Sequence, residues 1–236
     1  MINGGENLRS IVYKNAKQKH RHLTSKIVNR LEYEFEVIEK DKKQLYFLSI
    51  MEIFKLMKEK GIYARSYSAL SSLVAYYIDL SPINPLEHNL LFERILDHGY
   101  SSIKPFKIQT DKRGLQLVEQ WLSDNEKHLN RSDNLRELIK GSFLHDERYT
   151  FLYKAAFLIQ EKHNGLFQVD QIPLSDYKTM KLFQKGCTEG IPDFRSPEIK
   201  KYLVKIKPES IQALAILFAM HRPGLMFYLP SFIARK

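Results

Sequence analysis

The first half of the chain repeats apolar residues at a helical spacing. Between residues 30 and 38 the apolar positions recur every three or four residues, at Leu31, Phe35 and Ile38. This spacing puts them on one face of a helix, whose other faces carry four acidic residues, Glu32, Glu34, Glu36 and Glu39. A broader apolar stripe follows over residues 46–57 and ends at Gly61, a residue type that commonly terminates helices. We therefore predict two consecutive helices between residues 30 and 60.

Beyond residue 60 the pattern predicts shorter elements. Extended segments are predicted at residues 62–65, 103–109 and 135–144. Helices are predicted at residues 66–78, 86–96, 114–122, 149–162, 176–184, 196–207 and 211–220. The polar residues 123–133 are typical of a loop. The expected fold is α+β and helix-rich, with a small mixed sheet surrounded by helices.

Composition narrows the class of protein. Apolar residues make up 44% of the 236-residue chain, which is typical of a globular protein. No apolar run approaches the roughly 20 residues that span a bilayer, and the first ten residues lack the apolar core of a secretory signal. The single cysteine, Cys187, excludes an internal disulfide and a zinc cluster of several cysteines. We expect a cytoplasmic protein with no cofactor and no membrane partner.

The positive charge is concentrated at the two ends of the chain. Residues 1–30 and residues 200–236 each contain seven lysines and arginines against one acid, whereas the whole chain has a net charge of +10. The middle of the chain is therefore slightly acidic. Clustered cations favour a polyanionic partner, because binding to phosphates releases condensed counterions. We predict DNA or another nucleic acid as the partner; the alternative is a globular protein with basic, frayed ends.

Several segments together resemble the alpha subunit of bacterial DNA polymerase III, the C-family replicative DNA polymerase. They occur in the family's order and spacing, at residues 30–38 (RLEYEFEVI), 46–62, 71–96 (SSLVAYYIDLSPINPLEHNLLFERIL), 172–186 and 206–226. The resemblance implies a nucleotidyltransferase-like palm and the start of a fingers domain. We expect a basic N-terminal helical segment at residues 1–29, a degenerate palm-like domain at 30–170 and a fingers-like helical domain at 171–236.

The positions at which the resemblance implies catalytic acids contain none. A polymerase of this family has alternating aspartates where this chain has Phe106, Ile108 and Thr110, and a further acid on a second strand where it has Ser142. Two-metal phosphoryl transfer requires carboxylates that bridge the cations. We expect Asp111, one step out of register, to face the other side of the strand, and Asp146 could substitute only after a shift of register.

The phosphate-binding loop and the palm are also altered. The resemblance implies a glycine-rich loop at residues 64–72, but its glycines are replaced and Ser66 stands at the family's arginine. Glycines in such loops let backbone N–H groups approach a phosphate, and here Tyr67 and Leu70 add bulk. The segment between Asp111 and Leu135 is also shorter than in a working palm.

Five basic residues remain as candidates for contact with a nucleotide or nucleic acid: Arg65, Lys140, Arg222, Arg235 and Lys236. Arg65 fits better as an ordinary surface arginine, and Arg222 fits equally well as a helix-end arginine that binds backbone carbonyls. We predict a catalytically inactive, replication-associated protein that binds nucleic acid. The alternatives are a scaffold for another polymerase or a mobile-element protein, a gene remnant without a selected role, and, least favoured, a residual DNA-directed nucleotidyltransferase.

Overall fold

The computed structural model describes residues 7–99, 102–129, 134–163, 169 and 172–234. The chain divides into two compact units, residues 1–165 and 166–236. Each unit has an apolar core of its own. None of the helices within the described residues is long and apolar enough to cross a membrane.

The described residues are mostly helical. The first unit contains α1 (Leu8–Lys19), α2 (Ser25–Lys40), α3 (Gln44–Glu59), α4 (Leu73–Tyr77), α5 (Lys112–Asp124), α6 (Glu126–Leu129), α7 (Leu135–Ser142) and α8 (Glu147–His163). The second contains α9 (Tyr177–Gln184), α10 (Pro197–Ile206), α11 (Ile211–Met220) and α12 (Leu229–Ala234). Short 3-10 turns form at Ala69–Ser71, Phe92–Ile95, Pro192–Phe194 and Met226–Tyr228.

The two long helices predicted from the apolar repeat are confirmed as α2 and α3. The repeat of α2 is fully buried, with Leu31, Phe35 and Ile38 each at most 1% exposed. Helix α2 begins where the Thr24 side chain accepts a hydrogen bond from the N–H of Ile27, which is the usual role of an N-cap. Helix α3 buries its stripe against the same core, including Tyr46 and Phe47.

A three-stranded mixed sheet completes the first unit and confirms the predicted α+β class. Strand β1 (Ala64–Ser66) pairs antiparallel with β2 (Ile108–Thr110), and β2 pairs parallel with β3 (Phe143–His145). The central strand is therefore β2. Helix α5 follows β2 and helix α8 follows β3, so each of the two parallel strands leads into a helix.

The strand predicted at residues 135–144 is wrong for most of its length. Residues 135–142 form helix α7, and the strand begins only at Phe143. The buried positions of α7 are Leu135, Ile139 and Ser142, a helical spacing that a short apolar segment does not distinguish from a strand. The helix predicted over residues 66–78 is also shorter, because Ser72 caps α4 and the helix starts at Leu73.

Glu34 lies in the core, although the apolar pattern placed it on a polar face of α2. Its side chain is 0% exposed and pairs with Arg30 at 2.6 Å. It also accepts hydrogen bonds from the hydroxyl of Ser72 and from the N–H groups of Leu73 and Val74 at the start of α4. Burial raises the pKa of Glu34, whereas these N–H groups and Arg30 act to lower it. One carboxylate thus joins α2 to the positive end of α4.

We expect Glu34→Ala to destabilise the first unit by about 3–5 kcal/mol, because two buried N–H groups lose their acceptor and Arg30 loses its carboxylate partner. Glu34→Gln keeps the side-chain volume and should cost less. Urea denaturation curves measure both changes. Glu36→Ala is the matched control on the exposed side of α2, with an expected effect within about 0.5 kcal/mol. Equal losses from the two alanine variants would contradict this role of Glu34.

Candidate functional site

The three positions at which the family resemblance implies aspartates all face the core. Phe106, Ile108 and Thr110 are each at most 1% exposed. The ring of Phe106 packs against Tyr46 and Phe47, with centroid separations of 5.4 and 5.1 Å. Ile108 lies opposite Phe143 in the parallel strand pair. These side chains therefore fill the interior of the first unit.

A chain of hydrogen bonds connects Phe106 with Ser142. The N–H of Phe106 donates to the hydroxyl of Tyr46 at 2.7 Å, and the hydroxyls of Tyr46 and Ser142 are 2.7 Å apart. Ser142 donates its own proton to the carbonyl of Leu138 at 2.7 Å, so the Tyr46 hydroxyl is the donor to Ser142. Burial raises the pKa of Tyr46 to about 12, so its hydroxyl keeps its proton at neutral pH. The structure thus brings two of the implied acid positions together through a tyrosine.

The side chain of Thr110 forms a hydrogen bond and also packs closely against a helix. Its hydroxyl donates to the carbonyl of Tyr63 at 2.9 Å. Its side chain also packs against Gly114 on α5 so closely that a Cβ atom at Gly114 would overlap it. A larger or charged side chain at position 110 would have to displace helix α5.

The acids nearest to these positions are bound to arginines. Asp111 lies just after β2 and caps α5, where it accepts a hydrogen bond from the N–H of Gly114 at 3.1 Å. It also binds the guanidinium of Arg113 at 2.6 Å. Asp146 binds Arg148 at 2.6 Å, and this hydrogen bond lowers the pKa of Asp146. Both acids follow the ends of adjacent parallel strands, and the N–H of Asp146 donates to the carbonyl of Thr110 at 2.8 Å.

Within the ranges that the structure describes, no three histidine, cysteine, aspartate or glutamate side chains come together in a group that could hold a metal ion. Asp111 and Asp146 occupy neighbouring register positions beyond the Thr110–His145 pair. Each carboxylate is neutralised by the arginine two residues later in the chain. Ionic partners of this kind compete with any cation for the carboxylate oxygens.

Two serine hydroxyl groups of the loop at residues 64–72 form hydrogen bonds with backbone groups of the protein. The hydroxyl oxygen of Ser66 accepts from the N–H of Ala69 at 3.2 Å. Ser68 accepts from the N–H of Lys107 at 2.7 Å, which ties the loop to the segment before β2. The start of α4, where a phosphate would meet backbone N–H groups, is occupied by the carboxylate of Glu34.

The basic candidates lie on separate elements. Arg65 is an exposed residue of β1. Lys140 on α7 pairs with Glu119 at 2.9 Å, and this hydrogen bond raises the pKa of Lys140. In the second unit Arg222 follows α11 and donates from Nε to the carbonyl of Ala219 at 2.9 Å. Arg235 and Lys236 lie outside the described residues.

Sequence reasoning missed the two residues that organise this region, Tyr46 and Glu34. Tyr46 was one member of the apolar stripe of α3, yet a buried tyrosine hydroxyl usually needs a hydrogen-bond partner. Glu34 follows Arg30 by four residues, a spacing at which helical side chains of opposite charge meet. These two signals were present in the sequence, but their partners elsewhere in the chain were not evident from it.

Comparison with known proteins gives two family models that together match most of the chain. The model for the bacterial DNA polymerase III alpha NTPase domain matches residues 6–125. The model for the bacterial DNA polymerase III alpha subunit finger domain matches residues 148–236. Their order along the chain agrees with the order of the segments that carry the resemblance.

Three curated relatives illustrate the extent of the similarity. DNA polymerase III subunit alpha of Bacillus subtilis (strain 168) is 24% identical over 327 residues, which cover 89% of this chain and 29% of the relative. The subunit of Borreliella burgdorferi is 25% identical over 350 residues, covering 98% of this chain and 30% of the relative. That of Aquifex aeolicus (strain VF5) is 36% identical over 87 residues, covering 37% of this chain and 8% of the relative.

The chain spans less than a third of the length of the first two relatives, 29% and 30%. The aligned stretch of 350 residues also exceeds the 236 residues of the chain, so this relative carries a long additional segment within the matched region. One family model alone matches just over half of the chain. The chain belongs to the family of bacterial DNA polymerase III alpha subunits.

Proposed function

We propose that this protein binds DNA as a replication-associated member of its family and does not catalyse nucleotidyl transfer. The observation that carries the inactive assignment is the filled core, in which the buried side chains are Phe106, Ile108, Thr110 and Ser142. Phosphoryl transfer by two metal ions depends on carboxylates that hold the cations about 3.5–4 Å apart. Phenylalanine, isoleucine, threonine and serine side chains cannot take that role.

The surroundings of these residues support the same conclusion. Tyr46 binds both Phe106 and Ser142, so the space between them is already used by a hydrogen-bonded side chain. The neighbouring acids Asp111 and Asp146 are each bound by an arginine. A nucleotide phosphate would also have to compete with Glu34 for the start of α4.

The net charge of the chain and its family membership support DNA as the partner. The net charge of +10 favours association with a polyanion. The curated relatives are subunits of a DNA polymerase. From this similarity we infer DNA binding by this chain, but not catalysis. A protein with this role would act in the cytoplasm, and its further partner would be a second protein of the replication apparatus.

A second candidate function is a scaffold for another protein, and helix α8 favours it. Phe151 and Leu158 lie seven residues apart on one face of α8 and are 64% and 62% exposed. Exposed apolar side chains at this spacing are typical of a surface that binds a protein. The occupant we infer is another polymerase III alpha subunit, since the curated relatives of this chain are such subunits.

Fluorescence anisotropy with a labelled primer–template duplex tests the proposed DNA binding. We expect binding at low salt, with the logarithm of the association constant falling steeply and linearly with the logarithm of salt concentration. Primer extension on the same duplex with Mg²⁺ or Mn²⁺ should give no product, and a full-length polymerase III alpha subunit is the positive control. Extension by this chain would overturn the inactive assignment. Absence of DNA binding, together with capture of the full-length subunit, would favour the scaffold.

We expect Tyr46→Phe to lower the free energy of unfolding by about 1–3 kcal/mol, because the buried N–H of Phe106 loses its acceptor. Chemical denaturation measures the change. Tyr33→Phe is the matched control: its hydroxyl donates to Glu93 at 2.7 Å, but the residue is 40% exposed. The control should change stability by no more than about 0.5 kcal/mol. Similar losses in both variants would contradict a special role of the Tyr46 hydroxyl.

A further inference from the structure

We propose that DNA lies along the outer face of α1 and the turn that leads into α2. The contacting residues form what we call the basic stripe, Lys14, Lys17, Arg21 and Lys26. This inference rests on the proposed DNA binding and assigns it to a surface. The occupant is the phosphate backbone, because most hydrogen bonds between proteins and DNA go to the phosphates and sugars, and lysine and arginine are prominent donors in them.

The position of the stripe follows from the way α1 packs. Its buried residues are Leu8, Val12 and Ala16, which lie within one face of the helix. At 100° per residue, Lys14 and Lys17 lie on the opposite side, and both are exposed. Helix α1 is therefore fixed by its apolar face and presents its lysines outward on a rigid element.

The stripe differs from Arg9 and Lys19, the other cations of α1, in its charge environment. Between Asn7 and Leu31 the chain contains no acid. Arg9 binds Glu32 and Glu39, and Lys19 binds Asp79, so these cations are neutralised within the protein. Among the residues that the structure describes, no carboxylate forms an ion pair with Lys14, Lys17, Arg21 or Lys26.

The spacing of the stripe suits a nucleic-acid backbone. Lys14 and Lys17 lie three residues apart on α1, which corresponds to a rise of roughly 4.5 Å, and Arg21 follows two residues after the helix ends. A DNA strand rises about 3.4 Å per phosphate, so three successive cations meet phosphates within one short stretch of backbone. His22 and Lys26 continue the basic surface beyond the end of α1.

An anionic membrane is a less suitable occupant of this face. A helix that binds in a bilayer interface inserts an apolar face between the lipids. The apolar face of α1 is already buried in the core of the first unit through Leu8, Val12 and Ala16. Only polar and charged side chains remain on its outer side, and these favour the phosphates of DNA.

The test compares two triple variants of the full chain that remove equal charge. K14Q/K17Q/R21Q removes three of the four charges of the stripe, and K55Q/K58Q/K60Q removes the charges of three exposed lysines on and just after α3. With a labelled primer–template duplex, the stripe variant should bind roughly tenfold or more weakly at low salt. Its salt slope should fall by about 2–3, because close to one unit is lost for each phosphate contact. The control variant should bind within about threefold of the parent chain.

The outcomes separate this inference from the proposed function. If the parent chain does not bind the duplex, the proposed DNA binding is wrong. If it binds and the two triple variants weaken it equally, DNA binding stands and the assignment to α1 is overturned. Vesicles containing anionic phosphatidylserine serve as the competing probe, and stronger binding to vesicles than to DNA would overturn the choice of DNA. Unchanged urea midpoints would establish that both variants are folded.

Discussion

The hydroxyl of Tyr46 is the point on which the first unit's sheet depends. It binds a backbone N–H 60 residues away along the chain and a side chain 96 residues away. Phe106 is separated from β2 by Lys107, and Ser142 is the last residue of α7, just before β3. A single group on α3 therefore binds the segment that leads into each strand of the parallel pair. Directional bonds of this kind set one arrangement among the several that apolar packing alone would allow.

Glu34 has a comparable role in the same unit. It joins α2 to α4, while Tyr46 joins α3 to β2 and α7. Both polar groups lie in regions where the family resemblance implies contact with substrate, the phosphate loop and the acid positions. In this chain those regions are closed by internal hydrogen bonds, and the polar chemistry there stabilises the fold. The basic surface of α1 lies outside this core and is unaffected by its closure.

The spacing of apolar residues predicted those elements that depend on residues close together in the sequence. Helices α2 and α3 follow from apolar repeats long enough to exclude a strand. The strand predicted at residues 103–109 is observed only at its end, because β2 spans Ile108–Thr110. Residues 135–142 were predicted as strand because a short apolar segment fits either period. The burial of Glu34 and the bond between Tyr46 and Ser142 depend on residues far away in the sequence, and no local pattern contains that information.

The filled core around Phe106 and Ser142 has no place for the acids that the family resemblance implies if they are introduced one at a time. Aspartate at either position alone would place a charge among apolar side chains, at a cost of several kcal/mol. That cost is comparable with the whole stability of a small domain. A metal ion could compensate only after several acids were present together. A sequence with a single added aspartate would therefore fold poorly, and this core is compatible with the implied acids only if several are introduced together.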